Sequence, residues 1–401
     1  MKEIKKMTEL YINNDKCCGC EACCNICPKQ AITLKEDARG FAYPSIDEKK
    51  CINCGLCKSV CIYQNEVSKT KPIAAFAAAC KSKDLIKKVA SGGVFSICAE
   101  NILNRGGIVY GAAFIQGCHV KHIRVDSLKE LWKIQGSKYV QSEIADSYQR
   151  VKVDLQSGKD VLFSGTPCQI AGLKRFLRKE YDNLYTVDLI CHGVPSQRMF
   201  QDYLATISSE PIDYFVFRDK TRGWKDYFLL WEENNKKKRL HNRLSSYYRL
   251  FLAGEISRNC CYSCKFACLE RVADITLGDF WGFEKVHPEK MQEKLWKEQS
   301  LRGISCVLLN TKKGVQLFNE IKSHLYWFES SVDKIMVSNG QLKAPSKHTS
   351  MREQVLDAYE KKGYRSVEKI LASNMSVKQR MKSKLQVLIP LEWKIRLKNF
   401  K

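Results

Sequence analysis

The chain has 401 residues, 44% of them hydrophobic, which is enough for two or three packed domains and excludes disorder as the default. Its 67 Lys and Arg against 43 Asp and Glu leave a formal net charge of +24, pointing to phosphorylated cofactors, anionic lipid, nucleic acid or acidic protein partners. No apolar run reaches the roughly 18–20 residues that span a bilayer. Met1 to Glu9 mixes lysines with acids and lacks an apolar signal core, so we expect a cytoplasmic location. Without a secretory signature, the 20 cysteines read as metal or catalytic thiols rather than disulfides.

In chain order, residues 1–69 form a cysteine-dense first domain, and Ser68-Lys69-Thr70-Lys71-Pro72 reads as a linker. Cys17, Cys20, Cys23 and Cys27 fall at C-x2-C-x2-C-x3-C, and Cys51, Cys54, Cys57 and Cys61 repeat that spacing. Two-residue spacers let three thiolates of one loop converge on a cubane, while the next turn carries the fourth to the other cluster. The pattern assigns Cys17, Cys20, Cys23 and Cys61 to one 4Fe-4S cluster, and Cys51, Cys54, Cys57 and Cys27 to a second. Zinc sites of four cysteines use longer central spacers. Cys20, Cys24 and Cys27 also match C-x3-C-x2-C, the spacing of radical S-adenosylmethionine enzymes, but the two complete runs explain the same cysteines more fully. Cys18 and Cys24 are extra and read as small buried hydrophobes.

Beyond residue 70 apolar strands alternate with helical patterns. Ile73–Cys80, Ile108–Ile115, Val120–Val125, Asp160–Ser164, Leu184–Cys191, Ile212–Arg218, Tyr227–Glu232, Asp274–Leu277 and Ser305–Asn310 read as strands. Helices are predicted at Gly92–Asn104, Thr166–Lys179 and Arg243–Ala253. The alternation predicts an α/β (α+β) body with a mixed sheet and flanking helices, preceded by the small ferredoxin-like domain and followed by a helical basic tail. We divide the body at 70–155 and 156–330, with the tail at 331–401. The end of the tail, Ser376–Lys401, alternates basic and apolar residues. It reads as a helix packed on the body, with peripheral contact to anionic lipid as the competing reading. The basic residues are spread along the chain, and no DNA-reading helix or RNA module is recognisable, so nucleic acid is not an expected partner.

Several segments of the body carry chemistry. Ser91-Gly92-Gly93 opens a helix without side-chain bulk, a turn able to approach a phosphate, although no G-x-G-x-x-G occurs. Ser137-Lys138-Tyr139 offers a hydroxyl, a cation and a phenol in one loop. Thr166 and Pro167 suit the start of a helix whose first turn holds Cys168, and Cys191-His192-Gly193 ends the next strand. His192 is a candidate acid–base group. The Arg218-Asp219-Lys220 and Gly223-Trp224-Lys225 strings suggest a substrate-facing loop.

The strings SGGVFS, GSKYVQS, SGTPCQIAGL, DLICHGVPS, CYSCKF and ADITLGDFWG, in that order from Ser91 to Gly282, resemble the coenzyme F-420 hydrogenase/dehydrogenase beta-subunit family. The resemblance runs from about Ala74 to about residue 330 and implies an oxidoreductase that binds FAD and a third 4Fe-4S cluster. It implies Cys168, Cys191, Cys261 and Cys264 as that cluster's ligands, with Cys260 and Cys268 as neighbours able to substitute. It also implies Ser91, Gly92, Gly93, Ser137, Lys138, Tyr139 and Thr166 as flavin contacts, with His192 and Lys138 as catalytic candidates. The expected function is transfer of electrons between a low-potential carrier (ferredoxin or deazaflavin type) and a reducible small-molecule substrate. The alternative is an electron-transfer subunit feeding a partner enzyme. The positive charge fits docking of an acidic ferredoxin or flavodoxin.

Overall fold

The computed structural model describes Leu10, residues 14–374 and Val387. Ser376–Lys401, the segment read as a packed or lipid-facing end, thus lies outside the described residues except for Val387. Thirteen strands are present among the described residues: β1 (Ile32–Glu36), β2 (Ala42–Ile46), β3 (Ala74–Cys80), β4 (Ile108–Ile115), β5 (His119–Val125), β6 (Val161–Gly165), β7 (Leu184–Leu189), β8 (Tyr214–Asp219), β9 (Phe228–Glu233), β10 (Lys236–His241), β11 (Ile275–Asp279), β12 (Ser305–Leu309) and β13 (Leu325–Ser330).

Eight of them form one sheet in the order β13-β3-β12-β11-β7-β6-β4-β5. Its centre, β11-β7-β6-β4, is parallel, and antiparallel strands flank it on both sides. Parallel strands are covered on both faces, which is why β6 and β7 are buried almost throughout instead of alternating. β3 is nearly all alanine because β12, β13 and the turn at Gly92 crowd it. A Cβ on Gly92 would lie 2.7 Å from the Ser305 nitrogen and would strike the Ala78 carbonyl.

The helices at Val94–Asn104 and Lys312–Ile321 cover one face of the sheet. Ser147–Gln156 and Pro167–Leu177 cover the other, and the first domain packs on these two through Ala22, Val60 and Ile62. The segments 70–155 and 156–330 share this sheet, since β3 from the first lies between β12 and β13 from the second.

Local pattern gives no sign that the second sheet is a separate body. β8, β9 and β10 make their own antiparallel sheet, roofed by helices at Gln197–Ile207, Ser246–Leu252, Met351–Lys362 and Tyr364–Ser373 around an aromatic core. The β9–β10 hairpin turns at Asn234 and Asn235, both left-handed with φ 51° and 58°, a conformation asparagine tolerates. Among the described residues the end of the chain is helical, as expected. No described helix is long and apolar enough to cross a membrane.

Candidate electron-transfer site

The two cysteine runs fold as conformational copies. Gly19 and Asn53 occupy the same place in their loops with φ 65° and 52°, and Glu21 and Gly55 follow with φ 58° and 73°. Left-handed residues on either side of the second cysteine coil each loop inward, so short spacers bring the thiols to one side. A five-residue helix follows each loop, Ala22–Ile26 and Leu56–Val60, and carries the fourth cysteine across.

The result is two recesses. The outer one, about 370 Å³, is lined by Cys27, Cys51, Cys54 and Cys57 with Pro28, Ile32, Ile46 and Ile52. The inner one, about 530 Å³, is lined by Cys17, Cys20, Cys23 and Cys61 with Leu34, Pro44, Ile62 and Tyr63. These are the two crosswise sets that the spacing assigns. The fit to a four-iron cluster is chemical: four thiols, apolar walls, and an N–H of Ala31 donating to the Cys27 sulfur at 3.3 Å. Among the described residues no three His, Cys, Asp or Glu side chains are grouped as a single metal ion requires.

The recesses differ in their surroundings. Cys54 is exposed and Ile52 is 54% exposed at the outer one. The inner one is pinned to the body. Arg258, fully buried, donates to the carbonyls of Cys17 and Ala42, both at 2.6 Å, and to Gln141 Oε1, with its guanidinium 4.1 Å from the Tyr43 ring centre. Gln141 Nε2 donates to the Cys18 and Gly19 carbonyls. The Glu21 carboxylate accepts the Ile144 and Ala145 N–H groups at 2.8 and 2.9 Å, and burial pushes its pKa up to about 8.

A third thiol group lies at the carboxyl ends of β6 and β7, where ligand sites of open α/β sheets form. Cys168 sits in the first turn of the helix capped by Thr166, whose side chain and that of Gln169 form a capping box. Cys191 follows β7, and Cys261 and Cys264 belong to the turn at Asn259–Ser263 and its end. Burial holds the Cys191 thiol well above its ordinary pKa, and the neighbouring Cys261, Cys168 and Cys264 add to this. These four are therefore together. Of the two alternatives, Cys260 adjoins Cys261 and is buried, whereas the Cys268 sulfur is engaged elsewhere, by Lys69 Nζ at 3.5 Å and the Lys265 and Glu270 carbonyls. Buried Arg271 braces this loop: it pairs with Asp188 at 3.1 Å and donates to the Leu189, Phe266 and Cys268 carbonyls.

Apart from Thr166, which caps the helix carrying Cys168, the flavin candidates fall in two places with Arg218 near both. At the first, Ser91 Oγ donates to the Ile304 carbonyl and the Gly92 N–H to Ser305 Oγ, so the glycine turn is seated against the sheet. Gly93, with φ 81°, opens the helix. At the second, Lys138 Nζ donates to the Lys133, Gln135 and Gly136 carbonyls, and Tyr139 packs on Phe217, Tyr248 and Phe251. Arg218 pairs with Asp279 at 2.5 Å and lies against Tyr227 and Trp281, and its field reaches Tyr139. Lys220 Nζ bridges the Ser91 and Arg302 carbonyls. Burial lowers both Lys138 and Lys220 to a pKa of about 7, and among the described residues neither forms an ion pair. Enclosed ammonium groups held only by carbonyls suit an anionic group such as a pyrophosphate. Lys220 belongs to a string read only as a substrate-facing loop; its bond to the Ser91 carbonyl depends on a contact 129 residues apart.

His192 stands beside the third thiol group, its ring 5.4 Å from that of Phe251, which also contacts Tyr139. Its Nδ1 is buried without a partner, and burial lowers its pKa. The ordered loop at 218–225 is tied inward, with Trp224 stacked on Trp281 at 4.9 Å and 1° between planes.

This arrangement defines an iron–sulfur electron-transfer protein with an α/β body. Residues 158–335 match the family model for the C terminus of the coenzyme F420 hydrogenase/dehydrogenase beta subunit, and residues 16–65 match that of the 4Fe-4S dicluster domain. The chain thus carries a segment matching the C-terminal part of that beta subunit behind an N-terminal 4Fe-4S dicluster domain. An uncharacterized ferredoxin of Methanocaldococcus jannaschii is 34% identical over 53 residues, which is 13% of this chain and 68% of the ferredoxin. A chain of the F420-reducing [NiFe] hydrogenase complex from Methanosarcina barkeri aligns at 16% identity and a TM-score of 0.44, covering 76% of this chain and 91% of that one.

Proposed function

We propose that this chain is an iron–sulfur flavoprotein oxidoreductase. In this reading it passes electrons between a low-potential carrier, of ferredoxin or deazaflavin type, and a reducible small-molecule substrate. The observation that carries it is the presence in one chain of three thiol groups, two in the first domain and one at the carboxyl ends of β6 and β7, together with the enclosed cations Lys138, Arg218 and Lys220. Cys27, Cys51, Cys54 and Cys57 would hold the outer cluster, Cys17, Cys20, Cys23 and Cys61 the inner one, and Cys168, Cys191, Cys261 and Cys264 a third. Ser91, Gly92, Gly93, Ser137, Lys138, Tyr139 and Thr166 are the proposed FAD contacts, with Lys220 added. A bound flavin supplies the exchange between one-electron and two-electron chemistry that clusters alone lack.

The chain's own residues do the rest. Lys138 and Lys220 offset negative charge on the cofactor, and the Tyr139–Phe251 packing excludes water from the path to His192. His192 is the proposed proton carrier for the substrate. Exposed Lys29, Lys49, Lys50 and Lys58 lie around the outer recess, with two acids among them, Glu48 and Asp47, the latter paired with Lys50 at 3.8 Å. That rim favours a small acidic one-electron carrier, such as a ferredoxin or flavodoxin, by electrostatic steering.

The test is cofactor analysis of anaerobically purified protein. The expected content is about 12 iron and one flavin per chain, from three four-iron clusters. Iron near eight with no flavin would overturn the reading in favour of a plain electron-transfer module feeding a separate enzyme.

A further inference from the structure

Thr166-Pro167-Cys168-Gln169 opens the helix after β6, and a string of hydrogen bonds fixes how its side chains face. Thr166 Oγ1 lies 3.1 Å from the Cys168 sulfur. It also lies 3.1 Å from Gln169 Oε1, so two acceptors compete for one hydroxyl proton. What lies behind Gln169 decides its orientation. His122, Ser142 and Gln169 are all buried, and burial keeps the His122 ring neutral at ordinary pH. The Ser164 carbonyl can only accept, so its 2.9 Å contact puts the ring proton on His122 Nε2. Nδ1 is then left to accept the Ser142 O–H at 3.0 Å. Gln169 Nε2 donates in turn to Ser142 Oγ at 2.9 Å and to the Ser142 carbonyl at 3.2 Å. This turns Gln169 Oε1 toward Thr166, whose N–H it accepts at 3.0 Å.

We propose that Thr166 is a positioning residue that donates its hydroxyl proton to the Cys168 sulfur, and so makes the third centre easier to reduce. The inference rests on the proposed function, because it requires a centre that Cys168 would ligate. A sulfur bound to iron has lost its proton and can only accept, so the hydroxyl is the donor. A negatively charged sulfur is a stronger acceptor than a neutral amide oxygen, and Gln169 Oε1 already holds the Thr166 N–H. A hydrogen bond to ligand sulfur stabilises the more negative, reduced form. The Gly193 N–H adds a backbone donor at this centre, 3.4 Å from the Cys191 sulfur. When one electron arrives, the hydroxyl proton stays on the Thr166 oxygen, and no bond to hydrogen is broken. At the outer centre the donor to Cys27 is the Ala31 N–H, a backbone group that no side-chain substitution removes. Thr166 has no second proton to give, so toward a flavin it presents only lone pairs.

The test compares the full chain with Thr166→Val and Thr166→Ser, purified anaerobically, by iron and flavin content and by EPR-monitored redox titration. In Thr166→Val, iron content and the midpoints of the inner and outer centres stay unchanged. The third centre becomes harder to reduce by roughly tenfold for a lost charge-assisted hydrogen bond, about 59 mV for one electron. Thr166→Ser retains the donor and stays near the unsubstituted values. Thr166→Gly also lacks the hydroxyl but costs the helix start only a few tenths of a kcal/mol. It shows the same shift if Thr166→Val assembles poorly. A third midpoint unmoved in the hydroxyl-free variants would overturn this inference alone, and loss of flavin alongside it would leave Thr166 a flavin contact only. An equal shift of all three centres, or the same shift in Thr166→Ser, would also overturn it. So would loss of about four irons from both hydroxyl-free variants, because Thr166 would then build the site rather than set its potential. Iron near eight in the unsubstituted chain would overturn the proposed function, and this inference with it.

Discussion

The outer and inner thiol recesses are built from the same spacing and the same pair of left-handed turns, yet they differ in nearly everything beyond the loop itself. Cys54 opens to solvent, with Ile52 beside it. The inner loop is held by Arg258, Gln141 and Glu21 and presses on the helix at Pro167–Leu177. Local sequence makes a cage for four thiols, and the surroundings decide whether that cage meets water or packs against the body. Potential and role follow from those surroundings, since solvent exposure and hydrogen bonding tune cluster potentials.

The strongest way to break the difference is to remove Arg258. Arg258→Ala leaves the Cys17 and Ala42 carbonyls and Gln141 Oε1 without their donor and takes away the stack on Tyr43. We expect a loss of about 3–5 kcal/mol in denaturant unfolding. The inner centre should become solvent-exposed and oxygen-labile while the outer EPR signal persists. Equal lability of both signals would show that Arg258 does not distinguish the two sites.

Acid sharpens the comparison through His122. Its Nε2 meets the Ser164 carbonyl at 2.9 Å and its Nδ1 meets Ser142 Oγ at 3.0 Å. Ser142 Oγ also accepts from Gln169, the capping-box residue beside Cys168. Burial lowers the His122 pKa from 6.5 to about 4. The unfolded chain binds this proton below about pH 6.5, while the folded chain refuses it until near pH 4, so this group's contribution is complete above pH 6.5 and is lost as pH falls. The loss amounts to about 3 kcal/mol at its acid limit. Unfolding free energies measured between pH 7 and pH 4.5 should show this slope and flatten in His122→Gln; an unchanged slope assigns the acid sensitivity elsewhere.

The smallest expected effect is at the β1–β2 turn. Arg39 reaches Glu353, Asp357 and Glu360 on one face of the helix at Met351–Lys362, at 3.3, 3.0 and 3.4 Å. The three carboxylates are 43–62% exposed, so water and salt screen them. Arg39→Ala should cost about 0.5–1 kcal/mol at low ionic strength. The difference should disappear by roughly 0.5 M salt, where the Debye length is only a few ångströms. A salt-independent loss would mean that Arg39 acts through packing.

Much of the body is legible from local pattern. The strands at 73–80, 108–115, 160–164 and 184–191 are visible as apolar runs because the sheet buries them on both faces. β10 reads as a charge run, since Lys236 to Arg239 lie on an exposed edge where nothing selects for alternation; the signal available is the Asn234-Asn235 turn. β13 alternates too weakly to be assigned from its residues. Arg258 lies in no motif, and Gln141 lies in GSKYVQS without any sign there of what it binds. They matter because the cysteine loop folds onto a distant helix, and no periodicity records such a contact.

By itself, the sequence determined the two thiol cages and the parallel strands, because both depend on neighbours a few residues away: spacers of two, left-handed loop residues, and continuous apolar runs. Only the tertiary structure decided which cage is buried. It also brought Cys168, Cys191, Cys261 and Cys264 together and laid the Cys20 loop on the helix that carries Cys168. Those outcomes depend on how strand order and helix packing close chain loops of tens to hundreds of residues, and the long-range contacts that close them leave no local trace.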